Sequence, residues 1–325
     1  MTASSAVSDR RTSDAAAWAA VGALVIGVAA FQWRSPIPVE AKSLQVLAVT
    51  CAALSGAALF YRRIRRQENF AVMCIALMQV LLFSALGSIL SYFLAREGGA
   101  LWDGRLAGWD RAIGFDWLAF VNAVDAHRWL ALPLRWAYMS LVPQIIVLVL
   151  VLGFTRRVAE LRAVMLAAIL CGTAAILLSP IFPAVGNYVH LGLTADDFRH
   201  VDPWAGNAHL DHFTALRDGT MTLLRLQHME GIITFPSYHA GLAAITLFGF
   251  WSSGIAWLRW PGAAVALATI VATPVDGGHY LVDVLAGIAI AIPSIAAARR
   301  AIGWQPSAEM LRAWPFRRSR AASAP

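Results

Sequence analysis

Two short segments carry the side chains whose types and spacing suit acid–base or nucleophilic chemistry. One is Thr234-Phe-Pro-Ser-Tyr-His239-Ala, and the other runs from Gly277-Gly278-His279 through Tyr-Leu-Val to Asp283. His279 and Asp283 are spaced i, i+4, which on a helix stacks them on one face within contact range. A carboxylate in that position can fix the tautomer and orientation of an imidazole. A lone His–Asp pair serves equally well as a structural hydrogen bond. A second histidine at the mouth of another helix shifts the reading toward chemistry.

The elements that must position these groups are membrane helices. Hydrophobic residues make up 59% of the 325-residue chain and charged residues only 14%, beyond the apolar share of an ordinary water-soluble domain. Apolar stretches of the roughly 20 residues needed to cross a bilayer lie near 15–33, 43–61, 70–94, 134–154, 161–182, 237–257 and 278–298. An eighth, Trp260 to Thr273, is short, but consistent orientation requires it, and Pro261 suits a helix start. The run at 15–33 lacks a small-residue cleavage site and reads as a retained first helix. An ionisable residue at membrane depth faces a bundle interior or a wet cavity, so Asp283 needs a partner, and His279 is the natural one.

Net charge is +7, carried almost wholly by arginine, with Lys42 the only lysine. Runs such as Arg62-Arg63-Ile64-Arg65-Arg66 abut apolar stretches, so they read as membrane flanks and not as a nucleic-acid surface. Alternate connections differ in arginine content, and the positive-inside bias puts both termini in the cytoplasm with an even number of spans. Both helix mouths, with His239 and His279, then open on the extracytoplasmic side. The arginine-rich, alanine-rich composition points to a bacterial inner membrane. The expected organisation is a disordered cytoplasmic N-terminus over 1–14, a membrane domain over 15–300 and a basic cytoplasmic tail over 301–325. Cys51, Cys74 and Cys171 sit in apolar runs without metal-type spacing and read as packing residues.

Two external connections, about 95–133 and 183–235, are too long to be simple turns. The first sets Trp102, Trp109, Phe115, Trp117 and Phe120 among Asp103, Asp110 and Asp116, and reads as an aromatic anchor at the interface in preference to a substrate contact. The second holds Asp196, Asp197, His200, Asp202, His209, Asp211 and His212. Their spacing fits no compact ligand motif, so a hydrated loop is expected, with no metal and no cofactor.

Pro236-Ser237-Tyr-His239 followed about forty residues later by His279-x-x-x-Asp283 resembles the type 2 phosphatidic acid phosphatase superfamily over roughly 75–300. Together with Leu216-Arg217-Asp218-Gly219 and Phe182-Pro183-Ala-Val-Gly-Asn187-Tyr188, the segments are similar to the branch that includes inositol phosphorylceramide synthases. The resemblance implies an all-α polytopic bundle of about eight transmembrane helices around a six-helix catalytic core. It also implies phosphoryl chemistry: His279 as nucleophile, Asp283 orienting it, and His239 as general acid and then base. Arg217, with Ser237 and the amides around Gly277 and Gly278, would stabilise the phosphoryl charge. Asn187, Tyr188 and His190 could line the pocket. The superfamily's lysine seven residues before an Arg-Pro pair is absent, and Thr273 stands where its third motif has an arginine.

The expected substrate is a lipid phosphate or a phospholipid headgroup at the extracytoplasmic face. Transfer to an alcohol acceptor is favoured over release of inorganic phosphate. A proton-coupled transporter is the reading from another class, although no paired halves are visible. The oligomeric state is not legible.

Overall fold

The computed structural model describes residues 3–303, with side chains from residue 15 onward. Within these residues the chain is all-α. The long helices are α1 (Ala3–Arg34), α2 (Ala41–Arg63), α3 (Glu68–Glu97), α8 (Val158–Leu178), α13 (Ala256–Asp276) and α14 (Leu281–Ile302). Each is long and apolar enough to cross a membrane. The shorter helices are α4 (Asp103–Ala112), α5 (Trp117–Asp125), α6 (Arg128–Met139), α7 (Leu141–Phe154), α9 (Asn187–Leu191), α10 (Trp204–Asn207), α11 (Leu210–Arg217) and α12 (Tyr238–Ser252). The only β pairing among the described residues is an isolated bridge between Val39 and Leu224.

The span expected near 134–154 is a broken pair, with α6 and α7 meeting at 54°. The break follows from the sequence around Ser140. Pro143 has no N–H to offer the carbonyl of Met139, so the ladder lapses there. Buried polar groups fasten the corner instead: Gln144 Nε2 donates to Thr269 Oγ1 at 2.9 Å, and Thr246 Oγ1 donates to Gln144 Oε1 at 3.1 Å. The short eighth stretch becomes the 21-residue α13, whose Pro261 lies past the first turn and does not start it. Helix α12 has only 15 residues. It packs against α7, α8, α13 and α14, where the bundle rather than lipid surrounds it.

Among the described residues six helices are long and apolar enough to cross a membrane, and the bent pair α6–α7 makes a seventh candidate. The Val185 and Leu281 amides, donating to Asp103 and Asp110, hold the connections 98–127 and 179–237 and the start of α14 together at one end of the bundle. The mouths of α12 and α14 open at that same end. Helix α1 starts at Ala3, so residues 3–14 continue a helix where a disordered segment is expected from the sequence. Most of the expected basic tail, residues 304–325, lies outside the described residues.

The core runs through the bundle as one large cluster that includes Phe83, Leu148, Leu161, Met165, Ile169 and Ile245. Helices α12 and α14 approach most closely at Gly287. A Cβ there would fall inside the van der Waals envelope of the Ser237 carbonyl oxygen. That contact brings the start of α12, with His239, against the first turns of α14, with Asp283.

Candidate functional site

His279 lies between α13 and α14 and is buried. Gly278 before it has a φ of +64°, a left-handed conformation natural to glycine. A side chain there would also strike the Tyr188 ring. The turn delivers His279 so that Nδ1 faces Asp283 Oδ2 at 3.4 Å and Nε2 faces Ser237 Oγ at 3.3 Å. Asp283 Oδ2 also accepts the Tyr280 amide at 3.0 Å, which fixes the carboxylate. With Nδ1 carrying the proton toward Asp283, the Nε2 lone pair points at the Ser237 hydroxyl. Ser237 caps α12 by accepting from the Ala240 amide at 3.3 Å, and its own amide donates to the Asp283 carbonyl at 3.1 Å. One serine therefore joins the two histidine-bearing segments.

A cavity of about 200 Å³ opens beside these groups, with His279, His239, Gly277 and Tyr138 in its wall. His239 is held by a parallel stack on Tyr138, with centroids 4.8 Å apart and planes 9° apart. Its ring is kept in place without fixing either nitrogen. The opposite wall comes from α3 and α8: Ser84, Gly87, Ser88 and Ser91 on one, Gly172 and Ile176 on the other. A second cavity of about 230 Å³ reaches His239 from another side, past Met139, Val142, Trp204 and Glu230.

Helices α4 and α5 hold this arrangement without entering either cavity. Asp103 accepts the amides of Val185 and Gly186 and the hydroxyl of Tyr280 at 2.9–3.2 Å. Asp110 accepts the amides of Leu281 and Val282, both at 2.9 Å, capping the N-terminus of α14 from another helix. The sequence reading expects an interfacial anchor here. Trp109 is exposed as an anchor would be, whereas Trp117 is buried with its indole N–H on the Pro274 carbonyl.

The expected phosphate ligands divide. Ser237 and Gly277 stand at His279, and the Gly278 carbonyl accepts the Asn187 amide at 2.8 Å. Arg217 lies elsewhere: its guanidinium donates to the Gly99 carbonyl at 2.6 Å and lies over the Phe213 ring, outside both cavities. The reason is helical rise, since Arg217 ends α11 while His209 precedes its first residue, roughly 12 Å away along the axis. Tyr188 is a fully buried packing residue whose hydroxyl donates to the Val275 carbonyl at 2.6 Å. Asn187 is buried with its side-chain N–H₂ unpartnered, and His190 is exposed.

The Asp/His-rich segment does not stay together. Asp197 caps a short turn, Asp202 pairs with Arg135 at 2.9 Å, and His212 faces the Tyr92 hydroxyl at 2.7 Å. Among the described residues no group of three or more His, Cys, Asp or Glu could hold a metal ion. His209 alone turns inward and lines both cavities beside His239. Burial, with the His279 ring nearby, holds its imidazole down at about 4. Nothing in its sequence context sets it apart from the exposed acids around it. The α3 wall was also missed, although its small residues Ser84, Gly87, Ser88 and Ser91 recur at i, i+3, i+4 and i+7, a helical-face pattern that could have marked it.

A family model described as PAP2 superfamily matches residues 104–297. No curated protein and no solved structure matches the chain.

Proposed function

The chain belongs to the PAP2 superfamily of membrane phosphatases and phosphotransferases, and from that premise we propose that it moves a phosphoryl group through a phosphohistidine on His279. One observation carries this reading: His279, with Nδ1 on Asp283, lines a cavity whose wall also bears His239.

In the first half-reaction Nε2 attacks phosphorus, the bond to the leaving oxygen breaks, and protonated His239 gives that oxygen its proton. Asp283 stabilises the imidazolium as it forms. In the second half-reaction His239 takes the proton of the acceptor hydroxyl, whose oxygen attacks phosphorus and releases His279. The Ser237 hydroxyl, directed at Nε2, turns to a phosphoryl oxygen, where the Gly277 and Gly278 backbone can add donors.

The donor we propose is a lipid phosphate or a phospholipid headgroup taken from the extracytoplasmic leaflet. Transfer to an alcohol is favoured over hydrolysis, as in the inositol phosphorylceramide synthase-like branch. The motifs around Arg217 and Asn187 support that placement. So does the second cavity, which gives an acceptor its own approach to His239.

The test is to incubate purified wild-type and His279→Ala protein with a panel of lipid phosphates and phospholipids and to follow free phosphate and new lipid products. His279→Ala should lower turnover by about ten-thousandfold with the fold intact. Phosphate that vanishes in the variant identifies a phosphatase, and a lipid product that vanishes identifies a transferase. Turnover that persists in the variant sinks the phosphohistidine.

A further inference from the structure

The superfamily's lysine and arginines are missing from this chain, and neither cavity is lined by a lysine or an arginine. A transferring phosphoryl group still needs partners for its oxygens. His279 is used in attack and His239 in proton transfer, which leaves few polar side chains at the same wall.

His209 is the one whose placement fits. It is only 6% exposed, lines both cavities, and lies close enough to His279 for the two rings to influence each other electrostatically. Its ring lies near the Val185 backbone, which favours a proton on the ring nitrogen that faces it. Nε2 is buried without a protein partner, which leaves Nδ1 as the nitrogen on the Val185 side. The segment Asp103 clamps is the one that carries Val185, so the same carboxylate fixes the imidazole's support. Burying a ring nitrogen without a partner is costly, and a ligand atom at Nε2 offsets that cost.

We propose that His209 is a substrate-binding residue whose Nε2 makes a hydrogen bond with a phosphoryl oxygen of the group attacked by His279. The chemistry recognised is a phosphoryl group that carries a proton: P–O–H donates to the neutral Nε2 lone pair, and no proton need be drawn from elsewhere. A phosphate monoester or orthophosphate in its monoanionic form offers that donor, whereas a phosphodiester headgroup does not. The inference deepens the phosphoryl-transfer reading and rests on it.

The test compares wild type, His209→Asn, His209→Gln and His279→Ala as full-length protein in detergent. Asparagine retains a donor near the Nδ1 position and removes Nε2, while glutamine places a hydrogen-bonding group near the Nε2 position. Binding of inorganic phosphate is measured by calorimetry, and KM and kcat are measured separately for a lipid phosphate monoester and a phosphodiester. The expected result is at least tenfold weaker phosphate binding and a raised monoester KM in His209→Asn, with partial recovery in His209→Gln and little change in diester KM. Unchanged phosphate affinity in a folded His209→Asn protein overturns the inference, as does a wild type that binds no phosphate. Should the asparagine variant fail to fold, His209→Gly takes its place: unchanged phosphate affinity and a wild-type ratio of monoester to diester KM in the folded His209→Gly protein overturn the inference. His209-dependent phosphate binding without His279-dependent turnover keeps His209 as a phosphate-binding residue and overturns its link to attack by His279, together with the transfer reading. His279-dependent turnover with His209-independent binding keeps the transfer reading and overturns the inference.

Discussion

Residues 98–127 and 179–237 lie at the same end of the bundle, yet only the second contributes residues to the walls of the two cavities, among them Ala205, His209, Gly231 and Thr234. The first contributes carboxylates to backbone instead. Asp103, Asp110 and Asp125 are all buried, and each accepts amides from a different partner segment: Val185–Gly186, Leu281–Val282 and Arg199–Val201. Both segments are rich in aspartate, but the acids of the second, at 196, 197 and 211, are exposed. The difference shows that composition alone does not separate a supporting layer from a lining layer. What separates them is whether a carboxylate meets orphan N–H groups or water.

The strongest way to break this division is to separate the two helices it serves. Gly287→Val should abolish folded protein, because its side chain meets the Ser237 backbone where nothing flexible can yield; a loss of about 4 kcal/mol or more is expected, read as monodisperse yield and thermal unfolding in detergent. Next in size is Asp110→Ala. Two helix N-terminal amides lose their acceptor, which costs about 2–4 kcal/mol, and looser placement of His279 should lower kcat by about tenfold to a hundredfold.

Asp125→Asn should be milder, about 1 kcal/mol, with activity per folded molecule unchanged, since Asp125 supports residues away from His279. Its carboxyl is pushed up by burial, but three amides and His200 outweigh this and hold it below the usual range. The stability it confers is therefore present above about pH 3.8 and lost as pH falls through its folded value. Acid titration of Asp125→Asn should show less loss in that window.

His209 runs the other way. Its folded pKa of about 4 lies below the ordinary 6.5, so the unfolded chain binds a proton that the folded one refuses. Stability falls as pH drops from 6.5 to about 4, by up to about 1.4 kcal/mol per pH unit, and His209→Asn should flatten that slope. The smallest effect belongs to the exposed Asp211→Asn, within about 0.5 kcal/mol and without change in turnover. A large effect there would mean that the second segment supports the fold as the first does.

The i, i+4 spacing of His279 and Asp283 was legible, but His279 precedes α14, and the left-handed turn at Gly278 sets its Nδ1 against the Asp283 carboxylate. His239 was legible as a partner because alternating spans bring the mouths of α12 and α14 to one end. Ser237 could be named from its motif, but not its position between His239's helix and His279. Arg217 shows where local reasoning stops: it sits in a motif-like segment, and the register of α11 points it at Gly99. His209 shows the converse, a residue with an unremarkable neighbourhood that a loop path of some fifty residues carries inward. The corner at Ser140 was missed because apolar runs report hydrophobic length and say little about a bend that buried Gln144, Thr246 and Thr269 stabilise.

The sequence by itself determined the solvent of this protein, its succession of membrane helices and the four-residue spacing of a histidine and a carboxylate at the mouth of one of them. Those follow from hydropathy and helical periodicity, which act over a few residues to a few turns. Tertiary structure decided which aspartates cap helices in other segments, which histidine of the long loop enters the cavity, and that Arg217 stays out of it. Those outcomes depend on contacts between residues tens to nearly two hundred positions apart, such as Asp110 with Leu281, and no local pattern encodes which buried amide a distant carboxylate will find.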